Sequence, residues 1–534
     1  MKNILCLFTL WVAVSAIVLG QNQSNKVDIK WGNEIKSSRK KTLSGIVAHD
    51  ESGFYAIQKE RKGLLGLSFD LSIDHYDNNA NQTKSIDLKL GDGKKEMIYE
   101  NILQIKDNLF LFTTYQDQKT KMNSLFVQTI DKNSLLPNSD AKKIAEIDYS
   151  GNRKSNSGEY SIGTSRDGSK ILVFYNQPYD KGEKEKFGFS VFDITMNLIW
   201  SKNIVLPYND ELFDIEKKKV DNQGNIYLLN AVYKEKRRKK RHGEPNYQYT
   251  ILSFKKDIEN AEEYPIDLPG KFITDMQFSI TDNQDFVCIG FYSDKGTFSI
   301  KGTYYVSIDG KTKEIKSQSF KEFSIDVLRE NLTERQQKKL DKKIEKGKQV
   351  ELYEYDLHEV IHRDNGCTTL VGEQYYVDIV TTTQTIGNTT TTTTTFYYNY
   401  NDIIVVNIDP KGQIEWVKKI PKRQVTTNDG GFYSSYVMSI TNDKLYFIFN
   451  DNPKNLLEST TDSKKFATFS NQKGSVAVLV EVDKDGNYKK EPLFKTVDAE
   501  VMIRPKVCEQ ISSNEMILFG QRKKAERFAR LTFK

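Results

Sequence analysis

Short apolar runs recur along the chain, each opened by a polar turn and each too brief for an ordinary helix. They read Gly53-Phe54-Tyr55-Ala56-Ile57, Asn108-Leu109-Phe110-Leu111-Phe112, Lys170-Ile171-Leu172-Val173-Phe174 and Asn225-Ile226-Tyr227-Leu228-Leu229. The series continues with Asp285-Phe286-Val287-Cys288-Ile289, Gly366-Cys367-Thr368-Thr369-Leu370, Lys444-Leu445-Tyr446-Phe447-Ile448 and Glu515-Met516-Ile517-Leu518-Phe519. That makes about eight units, spaced by roughly 55 to 80 residues. A second apolar strand follows each, as in Phe189-Ser190-Val191-Phe192-Asp193 and Val476-Ala477-Val478-Leu479-Val480, and then a more polar third. Hairpin turns leave almost no room for crossover helices, so a parallel βαβ sheet is not expected. Antiparallel sheets of three or four strands need neighbours over their apolar faces, and radial packing supplies them. The expected fold is therefore an all-β propeller of about eight blades, with seven blades or two smaller propellers as the alternative counts.

A ring must close. Trp200-x-x-x-Ile204 and Trp416-x-x-x-Ile420 mark polar fourth strands, and Trp31-x-x-x-Ile35 repeats the pattern near the start of the chain. The last unit ends at Arg527-Phe528-Ala529-Arg530-Leu531-Thr532-Phe533 without a fourth strand of its own. The segment around 26–37 is expected to supply it, which would pair an otherwise open sheet edge.

Ahead of that segment, Lys2 precedes an almost uncharged run from Ile4 to Leu19, followed by Gly20 and polar Gln21-Asn22-Gln23-Ser24. This is the layout of a secretory signal peptide over 1–20, leaving 21–534 as one propeller domain. A retained anchor is the alternative, although the run is short for a hydrocarbon core of about 30 Å. Cleavage would leave no transmembrane segment. Cys288, Cys367 and Cys508 would then remain, an odd number with no CxxC spacing, which excludes a disulfide-rich scaffold.

Composition agrees with a globular β protein: 38% of residues are hydrophobic and 11% aromatic, with only 11 Pro. Seventy-eight basic against 72 acidic residues leave +6, too small an excess at 534 residues to argue for nucleic-acid binding.

One motif points to chemistry and is contradicted by its context. His358-Glu359-Val360-Ile361-His362 matches the zinc-peptidase pattern, which needs a helix to set both imidazoles on one face and the Glu beside the metal-bound water. Here a turn, Arg363-Asp364-Asn365-Gly366, follows at once, and the segment aligns with Phe278-Ser279-Ile280-Thr281-Asp282-Asn283 and Val437-Met438-Ser439-Ile440-Thr441-Asn442. On a strand, residues i and i+4 stand about 13 Å apart, too far for one ion with bonds near 2 Å. His358, Glu359 and His362 are therefore read as strand residues, with no metal. No Walker loop, dinucleotide fingerprint or catalytic triad is legible, so neither catalytic residues nor a cofactor is expected. Asp483-Lys484-Asp485-Gly486-Asn487 and Asp409-Pro410-Lys411-Gly412 are read as hairpin turns rather than calcium loops.

Three insertions interrupt the blade pattern. The run Lys234 to His242 contains Arg237, Arg238, Lys239, Lys240 and Arg241, a candidate contact for an anionic partner. It lacks the interleaved aromatics of a single-strand nucleic-acid surface. Over 324–352, Thr333-Glu334-Arg335-Gln336 is a capping-box pattern, and Leu340 and Ile344 form a narrow apolar stripe, predicting a short helix or helical pair. The Thr-rich stretch of 375–400, broken by Ile386, Gly387 and Asn388, predicts one long projecting hairpin whose tip is a second candidate contact.

With its leader, its repeated strands and the segments Glu373-Gln374-Tyr375-Tyr376, Asn401-Asp402-Ile403 and Ile420-Pro421-Lys422, the chain resembles exported β-propeller proteins of Bacteroidota for which no activity is established. The resemblance implies a propeller exported from a Gram-negative cell and carries over no catalytic residue. The expected function is a non-enzymatic binding or scaffold propeller that recognises a protein or glycan at the cell envelope, in the periplasm or on the cell surface. Nucleic acid is not expected as a partner. A polysaccharide hydrolase or lyase is the alternative, and a zinc metallopeptidase using His358 and His362 the remote one.

Overall fold

Gly, Asn and Asp at each turn reverse the chain tightly, and the flanking runs of Val, Ile, Leu, Phe and Tyr extend into strands. In the computed structural model they form eight antiparallel blade sheets, beside two small two-stranded sheets among the described residues. The structure describes residues 24–36, 41–62, 68–91, 97–149, 158–178, 182–235, 240–241, 244–266, 268–281, 283–294, 299–329, 332, 334–348, 350–363, 366–386, 389–456, 467–470 and 474–534. The expected signal peptide lies outside them.

Blades 1 to 7 are four-stranded and span 41–88, 98–148, 160–209, 213–266, 272–322, 355–420 and 437–495. Blade 8 is built from Met502–Ile503, Glu509–Gln510, Glu515–Arg522 and Ala525–Phe533. Its outer strand is N-terminal: Val27–Trp31 pairs antiparallel with the last strand, from Val27↔Phe533 to Trp31↔Ala529. Lys534 N adds a hydrogen bond to Lys26 O at 2.9 Å.

Eight hydrophobic clusters hold the ring, each between two consecutive blades. Leu172, Phe174, Phe187 and Phe189 of blade 3 meet Ile226, Leu228, Leu252 and Phe254 of blade 4. The ring closes where Phe54, Ala56 and Tyr76 of blade 1 pack on Ile517, Phe519 and Phe528 of blade 8. The molecule is an eight-bladed β-propeller. Strands sandwiched between blades are covered on both faces, so they read as unbroken apolar runs; Phe286–Ser293 is buried throughout. Outer fourth strands such as Ile315–Glu322 alternate between exposed and half-buried positions.

Strand order also fixes the faces of the disc. Each blade runs from the channel outward with alternating direction, so connections from first to second and third to fourth strands share one face, here the turn face. Second-to-third and blade-to-blade connections share the other. The basic run, the helices and the hairpin all belong to that second set, the insertion face.

Candidate functional site

The motif His358-Glu359-x-x-His362 lies on Tyr355–His362, the innermost strand of blade 6, with a register shift between Leu357 and Glu359. The side chain of Glu359 lies outside the described residues. Its two imidazoles have separate partners. His358 Nδ1 is 2.9 Å from the Tyr436 hydroxyl and its ring stacks on Tyr436 at 5.5 Å, whereas His362 Nδ1 is 3.2 Å from Thr368 Oγ1. Burial lowers the His362 pKa, and Arg166 and Lys219 push it the same way. Among the described residues no group of three or more His, Cys, Asp or Glu is placed to hold a metal ion.

The turns with acidic residues have local work to do. Asp483 Oδ1 accepts from the backbone N–H of Asp485 and Asn487 at 2.9 and 2.8 Å, and Asp409 Oδ1 does the same for Lys411 and Gln413. Trp416 donates Nε1–H to Lys484 O at 3.0 Å and lies over Gly486, whose φ of +78° and lack of a Cβ leave room for the ring.

Innermost strands line the central channel and run from the insertion face to the turn face, so position along them is depth. Carboxylates occupy the insertion end: Glu100, Glu216, Asp275 and Asp356, each with its pKa raised chiefly by burial. Glu216 accepts from the Tyr249 hydroxyl at 3.0 Å, and Asp275 accepts from Leu357 N of the next blade at 2.9 Å. Lys218 and Lys219 lie nearer the turn end, where the innermost strands of other blades carry Asp50 and Glu509. Lys218, Lys219 and Arg166 line a cavity of about 970 Å³ together with His362.

On the insertion face, Thr368–Ile386 and Thr389–Ile408 form one hairpin that runs through blade 6 and beyond it. The neighbouring strand of the blade stops pairing at Tyr355↔Gln374, Tyr375 N still donates to Glu354 O at 2.8 Å, and farther out no strand among the described residues pairs with this edge of the hairpin. Gln424–Thr427 covers the other edge along Tyr397–Tyr400, and Asn428 extends the cover to Phe396, donating its N–H to Phe396 O at 3.0 Å and accepting from Phe396 N at 2.9 Å. Ile379 pairs with Phe396 across the hairpin on one face, and both are exposed, at 62% and 38%. Farther out, Thr381–Thr394, Thr383–Thr392 and Thr385–Thr390 face each other with hydroxyls 3.2 to 3.3 Å apart. Ile386 pairs with Thr389 at the end of the ladder; its side chain, with Gly387 and Asn388, lies outside the described residues.

The root of the hairpin is a polar core that was not legible as a site in the sequence. Lys422 Nζ lies 2.5 Å from Glu373 Oε1 with both side chains fully buried, and it donates to Tyr400 O at 3.0 Å and Gln424 Oε1 at 3.1 Å. Burial lowers the Lys422 pKa, while Glu373 works in the opposite direction. Asp402 accepts from Lys422 N at 3.3 Å and pairs with Lys419 at 3.4 Å. Glu373, Asp402 and Lys422, each from one of the three segments that carry the family resemblance, thus meet at one point. No sequence spacing announces that meeting, because blade pairing creates it.

The other insertions are partly described. Arg237, Arg238 and Lys239 lie outside the described residues; Lys240–Arg241 is a two-residue strand paired with Glu244–Pro245. The helices are Ile325–Arg329 and Glu334–Glu345. Leu328, Leu340 and Ile344 pack with Ile300, Phe323 and Tyr355, so the predicted stripe faces the ring between blades 5 and 6. Neither helix, nor any other among the described residues, is long and apolar enough to cross a membrane. Cys288 is buried, which pushes its thiol pKa up to about 12, and burial does the same for Cys508.

No protein-family model matches the chain. No curated protein matches it either. Among solved structures, the WD40 domain of SCAP from fission yeast matches at 8% identity over 95% of this chain and 94% of that one, with a TM-score of 0.42. The propeller domain of the Trilobed protease from Pyrococcus furiosus matches at 10% identity over 85% and 98%, with a TM-score of 0.36. An ulvan lyase, a polysaccharide lyase, matches at 11% identity over 63% and 76%, with a TM-score of 0.35. At these scores the likenesses carry no functional argument, and the propeller rests on its own sheet order and inter-blade cores.

Proposed function

We propose that this chain is an exported, non-enzymatic binding propeller that recognises a protein or glycan at the envelope of a Gram-negative cell. The observation that carries the reading is the gathering of all three insertions on one face, led by a hairpin with an open strand edge and an exposed Ile379–Phe396 pair. An open edge offers backbone donors and acceptors to an extended segment, and exposed apolar side chains give it grip. Export rests on the expected leader. The test compares envelope-fraction pull-downs by the parent protein and by a variant with 378–397 replaced by a two-residue turn. A partner held by the parent and lost by the variant, at an unchanged melting temperature, is the expected result. Identical capture by both would remove the hairpin from the function.

A second reading, a hydrolase or lyase acting on polysaccharide, is favoured by one feature. Glu216, Asp275 and Asp356 neighbour one another at the insertion end of the channel and hold their protons to higher pH than free carboxylates, as a general acid must. Release of reducing ends or unsaturated uronates from envelope polysaccharide, lost in Asp356→Asn, would select it.

A further inference from the structure

At the turn end of the channel two lysines are partly desolvated, with Glu159 the one carboxylate that favours the charge of Lys218. Lys218 and Lys219 are consecutive residues on the innermost strand of blade 4, so their side chains leave opposite faces. Lys218 Nζ lies 4.7 Å from the Phe174 ring of blade 3, and Lys219 Nζ lies 5.1 Å from the Phe278 ring of blade 5. The rings hold both stems against the channel wall, and both residues line the same cavity of about 970 Å³. Arg166 enters from the first turn of blade 3, and His362 from blade 6.

We infer that this mouth of the channel is a binding site for a small polyhydroxy anion, a phosphorylated or carboxylated sugar, held by Lys218, Lys219 and Arg166. Burial lowers the pKa of both lysines; Glu159 works against the shift at Lys218, and Lys217 adds to it at Lys219. Desolvated charge costs stability, and an anion in the cavity would offset that cost. The acidic residue in the wall is engaged by neutral donors instead. Asp221 Oδ1 accepts from Gln223 N and Asn225 N, and its Oδ2 accepts from Asn225 Nδ2 and the Tyr227 hydroxyl.

The rest of the lining narrows the ligand. Gln277 and Ser279 face the cavity, and the buried Ser279 hydroxyl has no partner among the described residues. Amides and hydroxyls of this kind suit a ligand with hydroxyl groups. Among the described residues the lining holds no Phe, Tyr or Trp, and its aromatic rings are the imidazoles of His358 and His362. The volume is that of a small-molecule site and exceeds the need of a bare inorganic anion.

Titration calorimetry with glucose 6-phosphate, glucuronate, inorganic phosphate and glucose tests the assignment. Glucose 6-phosphate or glucuronate should bind, and whichever is tighter identifies the anionic group. Neutralising both lysines in K218Q/K219Q should weaken that ligand about tenfold or more, since each charge-assisted hydrogen bond contributes on that scale. The double variant should melt no lower than the parent, because two partly desolvated cations are removed. Arg166→Gln, at an exposed position, should weaken binding severalfold and serves if the double variant misfolds. Binding by neither anionic sugar, equal binding of glucose, or unchanged affinity in both variants would overturn the site. Inorganic phosphate binding as tightly as glucose 6-phosphate would overturn the sugar frame.

Discussion

The two faces of the ring are built by different rules. On the turn face, connections are short and neighbouring blades are stitched by side chains. Gln284 Nε2 donates to Gln223 Oε1 at 2.5 Å, and Asp167 N donates to Asn222 Oδ1 at 3.3 Å. Gln104 brackets the backbone of His49 in the preceding blade, accepting from its N–H at 2.7 Å and donating to its carbonyl at 2.8 Å. Gln510 does the same to Ile440, at 3.2 Å each way. Each glutamine amide thus imitates one residue of a neighbouring strand. On the insertion face the connections range from a two-residue link to paired helices and a long hairpin. A turn locked to its neighbours tolerates few lengths, whereas a connection that leaves the ring tolerates many and is where binding surfaces arise. Two partly desolvated lysines on the stitched face stand out for the same reason.

The largest effect should come from opening the ring itself. Deleting 26–36 removes fully buried Val27 and the partly buried Ile29 and Trp31 from the cluster between blades 7 and 8. Side chains of this kind contribute about 1.5–3 kcal/mol each, which corresponds to a fall of about 4–8 °C in a domain of this size. Scanning calorimetry reads it directly. A shift under about 2 °C would show that neither face depends on the closing strand.

A smaller loss should follow at the root of the insertion face. Lys422→Ala strands the buried Glu373 carboxylate and should cost about 3–5 kcal/mol in denaturant unfolding. The double variant K422M/E373Q, which leaves no buried charge, should cost clearly less. Equal losses would mean that the pair does not anchor the hairpin.

The smallest effect concerns the acidic end of the channel. Burial raises the Asp275 pKa above its ordinary 3.8, so its ionised form opposes folding. That cost is absent below pH 3.8 and grows as pH rises through the folded-state value. Asp275→Asn removes it, so the melting temperature of the variant relative to the parent should rise between pH 4 and pH 7. A pH-independent difference would show that the group is not ionising in the fold.

Much of the architecture was legible because its causes are local. Turn residues before unbroken apolar runs define strands, and runs such as Phe286–Ser293 are unbroken because a blade covers each face. The Thr-rich stretch around Gly387 was legible as a hairpin because threonine favours strands and a Gly-Asn pair favours reversal. The strand setting of His358 and His362 followed from the turn after them.

The candidate sites were far less legible. Lys218 and Lys219 stand in a run of three lysines that could have been any solvated strand end, and only the rings of Phe174 and Phe278 from two other blades turn them into a cavity wall. Glu373, Asp402 and Lys422 were visible one by one, separated by tens of residues. By itself the sequence determined the strands, their order and therefore which connections share a face, since these depend on residues adjacent in the chain. Tertiary structure alone decided which charges meet and which are desolvated, because desolvation and ion pairing depend on atoms that the ring brings together from different blades.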